Sequence, residues 1–93
     1  AYLTLEGRRA ALCLFRSLRR AAWLVEKGVT QARTITEAVR AEIEAEPLAR
    51  VEYVTLCDAV SLEGINELYD RALLALAVHI GQTRLIDNTI LKR

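Results

Sequence analysis

The sequence predicts an α+β fold in two layers, with helices packed on a small antiparallel sheet of about three strands. The first half of the chain carries apolar residues at helical spacing, whereas the second half carries strand-like runs joined by a tight-turn signal. A chain of 93 residues can build one hydrophobic core but no deep pocket between two lobes. We therefore expect one domain.

The first predicted helix runs from about Leu5 to Lys27. Thr4 suits the N-cap position, Glu6 places a negative charge in the first turn, and Gly28 can end the helix. At about 100° per residue, eight apolar residues gather on one side, which we predict to face the core. They are Ala10, Ala11, Leu14, Phe15, Leu18, Ala21, Ala22 and Val25.

The opposite side of this helix is rich in arginine. An arc of about 120° holds Arg8, Arg9, Arg16, Arg19 and Arg20, together with Leu12 and Trp23. We interpret the arginines as a solvated face, because acidic residues elsewhere reduce the net charge to +1. The alternative is a phosphate- or nucleic-acid-binding surface, and the apolar pair suggests contact with a partner or another domain.

A second helix is predicted from about Ile35 to Ala45, with Thr34 or Thr36 as its N-cap and Pro47 after its end. Its glutamates are expected to face solvent, since nothing in the sequence builds the pocket that paired carboxylates need for acid–base catalysis. They are Glu37, Glu42, Glu44 and Glu46.

The remaining chain predicts strands. The run VEYVTLCDA at 51–59 is rich in β-branched and aromatic residues, and SLEGINELYD at 61–70 is expected to be a loop or a single helical turn. Residues 71–81 are apolar on both faces, which favours a central strand. Gly81 and Gln82 fit a type II′ turn, in which His79 faces Arg84.

Several functional classes are excluded by composition and motifs. The sequence lacks the apolar run of about 18 to 20 residues that crosses a bilayer, and it lacks a signal-peptide pattern, so a cytoplasmic location is expected. Cys13 and Cys57 have neither CxxC spacing nor histidine partners, which favours reduced thiols over a metal site or a disulfide. No glycine-rich phosphate loop is found. We predict no catalytic residue and no metal ligand in this chain.

Three stretches resemble the C-terminal domain of the pantoate-β-alanine ligase family, in this order and at this spacing: AYLTLEGRRAALCLFRSL, VEYVTLCDA and AVHIGQTRLIDN. The run IGQTRLIDN is similar to the specific IGxTRLIDN ending of that family. The resemblance implies an ATP-dependent ligase that adenylates the carboxylate of pantoate. The amine of β-alanine then displaces AMP to give pantothenate, the precursor of coenzyme A.

The resemblance also implies a division of labour. The family pairs a Rossmann-like N-terminal catalytic domain with a smaller C-terminal lid, so residues 1–93 are expected to be an excised lid that is inactive alone. No cofactor is expected to bind this chain alone, and ATP and Mg belong to the intact enzyme. Its implied partners are the N-terminal domain of the same polypeptide, with pantoate, β-alanine and ATP, in a homodimer without membrane or nucleic-acid partners.

Six residues receive expected roles by this resemblance. Ala1 and Tyr2 flank the loop that contacts ATP phosphates in the family. Arg84 is expected to make an interdomain contact or, alternatively, a phosphate contact. The closing hairpin is expected to depend structurally on Gly81, Asp87 and Asn88.

Overall fold

The computed structural model describes residues 4–93. Two helices, α1 (Leu5–Glu26) and α2 (Ala32–Glu44), precede three strands, β1 (Ala49–Asp58), β2 (Arg71–Ile80) and β3 (Thr83–Lys92). The strands pair antiparallel in the order β1-β2-β3, and both helices pack on the sheet. The predicted two-layer α+β fold is confirmed.

The cap and stop residues in the sequence predict the ends of α1 correctly, but the predicted caps do not give the start of α2. Thr4 Oγ1 accepts from the Gly7 N–H at 2.9 Å, and Gly28 takes a φ of +93° after the last turn. The predicted start of α2 was wrong: the helix begins at Ala32, with Gln31 rather than Thr34 or Thr36 at the N-cap. The Ala32 N–H donates to the Asn66 carbonyl at 2.9 Å, so a contact from a distant loop fixes this start.

The buried face of α1 is rotated by about 60° from the predicted one. Phe15 is 59% exposed and Ala22 is also exposed, so these two core predictions were wrong, while Cys13 and Leu24 are buried. The face toward α2 and the sheet consists mostly of small residues, which allow the helix to approach closely. It comprises Gly7, Ala10, Cys13, Leu14, Ser17, Ala21 and Leu24.

The core lies between the helices and one face of the sheet. Ile35, Val39 and Ile43 of α2 are fully buried. They share the core with one face of β2, formed by Ala72, Leu74, Leu76, Val78 and Ile80. Residues 59–70 form no helix, so this segment is a loop and not the single helical turn that was the other expectation. Among residues 4–93, no element covers the other face of the sheet.

Candidate functional site at the hairpin end of the sheet

The β2–β3 hairpin has the predicted turn and register. Gly81 adopts a φ of +60°, whereas the φ of Gln82 is not positive. This is the pattern of a type II′ turn. Ile80 pairs with Thr83, and His79 pairs with Arg84. The side chains of His79 and Arg84 therefore lie side by side on the face of the sheet that the helices leave open.

A third residue, Glu52, joins this pair across β1. The β1–β2 register shifts between Val51 and Tyr53, so a β-bulge lets Glu52 and Tyr53 point to the same open face. The Glu52 carboxylate accepts from Arg84 Nε at 2.8 Å and from Arg84 Nη2 at 3.0 Å. His79 Nε2 lies 2.8 Å from Glu52 Oε1. The structure thus builds one three-residue cluster at the edge of the open face, hereafter the Glu52 cluster.

The Glu52 cluster is an exposed, charge-assisted network. The bidentate contact from Arg84, followed by the contact from His79, lowers the pKa of the Glu52 carboxyl from 4.5 to about 2. The Glu52 side chain is 38% exposed, so water and salt screen the attraction. Because Glu52 already neutralises one edge of the Arg84 guanidinium, an incoming phosphate would have to compete with this carboxylate.

The Glu52 cluster should contribute to stability in a defined range of pH. A carboxyl whose pKa is lowered on folding stabilises the native state above its unfolded value of 4.5, and this contribution disappears as the pH falls through about 2. We expect Glu52→Gln to be less stable than the wild type at pH 7 and equally stable near pH 2. Urea unfolding of both proteins at intervals from pH 7 to pH 2 measures the difference.

The exposed Glu44 of α2 provides the matched control, because it makes no side-chain hydrogen bond to any of the described residues. Glu44→Gln removes the same charge outside the Glu52 cluster. Its free energy of unfolding should therefore differ from that of the wild type by a small and nearly constant amount from pH 7 to pH 2. If Glu52→Gln had the same free energy of unfolding as the wild type at every pH, the Glu52 cluster would contribute nothing to the stability of the fold.

The other expected hairpin residues lie farther along β3, on opposite faces of the sheet. Asp87 pairs with Leu76 on the helix side, and its Oδ1 accepts from the Asn88 backbone N–H at 2.8 Å. Asn88 pairs with Ala75 on the open face and is exposed. Their structural roles stay predictions. Ala1 and Tyr2 lie outside the described residues.

Thr4, the first described residue, lies beside the tip of the β2–β3 hairpin. An open cavity of about 310 Å³ lies between the first turn of α1, Leu48 and the turn residues, and it is lined by Thr4, Glu6, Gly7 and Ile80–Thr83. Thr4 therefore lies at the same end of the domain as the hairpin turn and the Glu52 cluster.

The arginine side of α1 is exposed as predicted, and cations cover its aromatic rings. The guanidinium carbon of Arg19 lies 5.6 Å from the centre of the Phe15 ring, and that of Arg20 lies 4.9 Å from the Trp23 ring. Lys27 Nζ approaches the same indole at 5.8 Å. These cation–π contacts partly shield the rings, so this face exposes less bare apolar surface than its sequence suggests.

The part of the chain from residue 4 onward offers no metal site and no membrane span. It holds no group of three or more histidine, cysteine or acidic residues that could bind a metal ion, and none of its helices is long and apolar enough to cross a bilayer. Cys13 and Cys57 are free thiols. Burial raises the pKa of Cys13, which favours its neutral form.

Comparisons with known proteins agree with one another. Residues 1–90 match the family model described as pantoate-beta-alanine ligase. A pantothenate synthetase of Moorella thermoacetica is 44% identical over 91 residues, which are 98% of this chain and 32% of that protein. A pantothenate synthetase of Pelotomaculum thermopropionicum is 49% identical over 90 residues, which are 97% of this chain and 32% of that protein.

A solved structure and a fused relative extend the comparison. The crystal structure of pantothenate synthetase from Thermus thermophilus superposes with a TM-score of 0.86 at 25% identity, over 95% of this chain and 32% of that one. A bifunctional pantoate ligase/cytidylate kinase of Synechococcus sp. is 43% identical over 97% of this chain and 17% of that protein. The chain spans about a third of the length of the single-function relatives. It belongs to the pantoate-β-alanine ligase family and corresponds to the family's C-terminal domain.

Proposed function

We propose that this chain is the C-terminal lid domain of an ATP-dependent ligase that condenses pantoate with β-alanine. The reaction would pass through a pantoyl adenylate, in an intact enzyme that is a cytoplasmic homodimer. The observation that carries the proposal is the match to the family along residues 1–90, by a chain that spans only a third of its relatives.

The described residues do not fit a nucleotide–magnesium site of their own. No acidic cluster is available to hold a divalent cation among residues 4–93, and the glycines of the sequence are isolated rather than grouped in a phosphate loop. Arg84, for which a phosphate contact is the alternative to an interdomain contact, is already paired with Glu52. We therefore assign ATP, Mg and the catalytic groups to the N-terminal domain of the same polypeptide.

A lid suits the proposed chemistry. Acyl adenylates react with water, so an enzyme that forms one gains by covering its active site until the amine arrives. The domain could act as one compact unit, since its three strands pair along their length apart from the bulge at Glu52 and its core is buried. Arg84 would act at the rim of the lid as an interdomain contact, held in one orientation by both oxygens of Glu52.

The deciding experiment compares the intact natural polypeptide with this 93-residue chain. We expect AMP release in the presence of pantoate, β-alanine, ATP and Mg²⁺ from the intact protein, and no release from the chain alone. Product analysis by mass spectrometry identifies pantothenate. If the intact protein is also inactive, the family fold has been reused for another purpose, and salt-dependent binding of nucleic acid by the α1 arginines becomes the hypothesis to test.

The same assay tests Arg84. Arg84→Ala in the intact protein, assayed well below its melting temperature, is expected to lower turnover by about tenfold if Arg84 contacts the other domain or a phosphate, in addition to any loss of stability from breaking the pair with Glu52. A fall in melting temperature with unchanged turnover would restrict Arg84 to a structural role in the Glu52 cluster.

A further inference from the structure

We propose that the exposed side of α1 binds single-stranded nucleic acid, with its basic side chains on the phosphates and with Phe15 and Trp23 against the bases. This departs from the expectation, drawn from the resemblance, that nucleic acid is not a partner, and it does not rest on ligase activity. The two rings and six exposed cations form the surface, hereafter the α1 surface. The cations are Arg8, Arg9, Arg16, Arg19, Arg20 and Lys27.

The net charge of +1 conceals an uneven distribution of charge along the chain. Residues 4–28 carry six basic and two acidic side chains, a net charge of +4, whereas residues 29–93 carry seven basic and ten acidic side chains, a net charge of −3. None of the six cations forms an ion pair with any residue from 4 to 93. The acidic residues therefore lower the net charge of the chain without neutralising the α1 surface by direct contact.

Four of the cations form a line that suits a phosphate backbone. At about 100° per residue, they project within about 40° of one another. They are Arg9, Arg16, Arg20 and Lys27. At about 1.5 Å per residue, this line spans about 27 Å along the helix. A polymer with regularly spaced negative charges can contact such a line at several points, whereas a small anion can contact only one or two of its members.

The aromatic rings stand among the cations. By the same helical arithmetic, Arg19 projects between Phe15 and Trp23, about 40° from each. The rings keep exposed surface beside the guanidinium groups of Arg19 and Arg20, since Phe15 is 59% exposed and Trp23 is 46% exposed. A base can stack on an exposed ring while a neighbouring guanidinium contacts its phosphate. Proteins that bind single strands commonly combine a positive groove with aromatic stacking in this way.

This mixture of rings and charges fits a single strand better than the other polyanions. Protein interfaces deplete charge at their centre and keep it at the rim, but here Arg19 lies in the middle of the α1 surface. A second copy of the chain would bring like charges together. In a duplex the base faces are already stacked on one another, so Phe15 and Trp23 would find no free base face to contact.

Fluorescence anisotropy with a labelled oligothymidine of about ten nucleotides tests the proposal. We expect the 93-residue chain and the intact natural polypeptide to bind it. The logarithm of the affinity should fall with the logarithm of the salt concentration at a slope of about −3, for about four phosphate contacts. Trp23 is the only tryptophan of the 93-residue chain, and the oligothymidine should quench its fluorescence, whereas a duplex of the same length should not.

Variants of the 93-residue chain separate the contacts to phosphates from the contacts to bases. Replacement of both Arg16 and Arg20 by glutamine should weaken binding by about tenfold and make the salt slope shallower by about 1.4. Trp23→Ala should weaken binding by about tenfold at an unchanged salt slope. The matched control replaces Arg50 and Arg71 by glutamine. Both are exposed cations on the open face of the sheet, so their removal should leave the affinity nearly unchanged.

Three outcomes would overturn the proposal. Equal weakening by the two double variants would show a general effect of charge and no binding surface on α1. An unchanged affinity of Trp23→Ala, with displacement of the oligothymidine by poly-glutamate at equal charge, would assign the α1 surface to an acidic protein. Binding by the 93-residue chain but not by the intact polypeptide would show that the rest of the polypeptide covers this surface. None of these readouts depends on ligase activity.

Discussion

Replacement of Leu74 by alanine is expected to destabilise the domain by about 2–5 kcal/mol. Leu74 lies on the central strand with no exposed surface, between Leu56 of β1 and Thr89 of β3. Removal of its branched end forfeits apolar burial and leaves a cavity that the fixed strands cannot close. A domain of this size has a free energy of unfolding of about 5–15 kcal/mol, so the loss is a large share of the total.

Urea unfolding at pH 7 measures this loss, and Ile86→Ala is the matched comparison. Ile86 is a branched aliphatic residue of the adjacent strand, but it is 58% exposed on the open face. In the 93-residue chain its replacement should cost less than about 1 kcal/mol. Comparable losses in the two variants would mean that the core does not lie on the helix side of the sheet as described.

Local signals in the sequence were sufficient for most of the fold. Thr4 and Gly28 marked the ends of α1 because a cap and a left-handed stop act within a few residues of the chain. The pairing of His79 with Arg84 followed from Gly81, since a two-residue turn fixes the register of both strands. The central position of β2 followed from its apolar residues on both faces.

Features that depend on distant contacts could not be predicted. The bulge that brings Glu52 to His79 and Arg84 arises from the pairing of β1 with β2, and strand alternation alone carries no signal for it. We predicted that Phe15 lies in the core because large apolar residues dominate the helical pattern of the sequence. In the structure the helix packs through its smaller residues instead. The start of α2 depends on the backbone of Asn66, which is remote in sequence.

The Glu52 cluster shows why a search for catalytic motifs failed here. Its three residues come from three different strands and are far apart in sequence, so no short sequence motif marks the Glu52 cluster. Such a cluster orients a guanidinium at the rim of a surface.

The second large effect is expected at the hairpin tip, where Gly81→Ala should destabilise the domain by about 1–2 kcal/mol. Gly81 has a φ of +60°, a conformation that costs a residue with a Cβ atom about this much. A Cβ built at Gly81 meets no atom within 4 Å, so the cost would come from the backbone and not from a clash. Thermal and urea unfolding of the 93-residue chain provide the measurement.

Gly64→Ala is the control for this experiment. A Cβ at Gly64 also meets open space, but its φ lies outside the left-handed region, so alanine should be neutral or should stabilise the domain by up to about 1 kcal/mol. If both variants behaved alike, the turn would tolerate alanine, and the register that Gly81 sets would have to come from the pairing of the strands alone. A loss confined to Gly81→Ala would show that the cost comes from the left-handed backbone conformation at this turn and not from replacing a glycine as such.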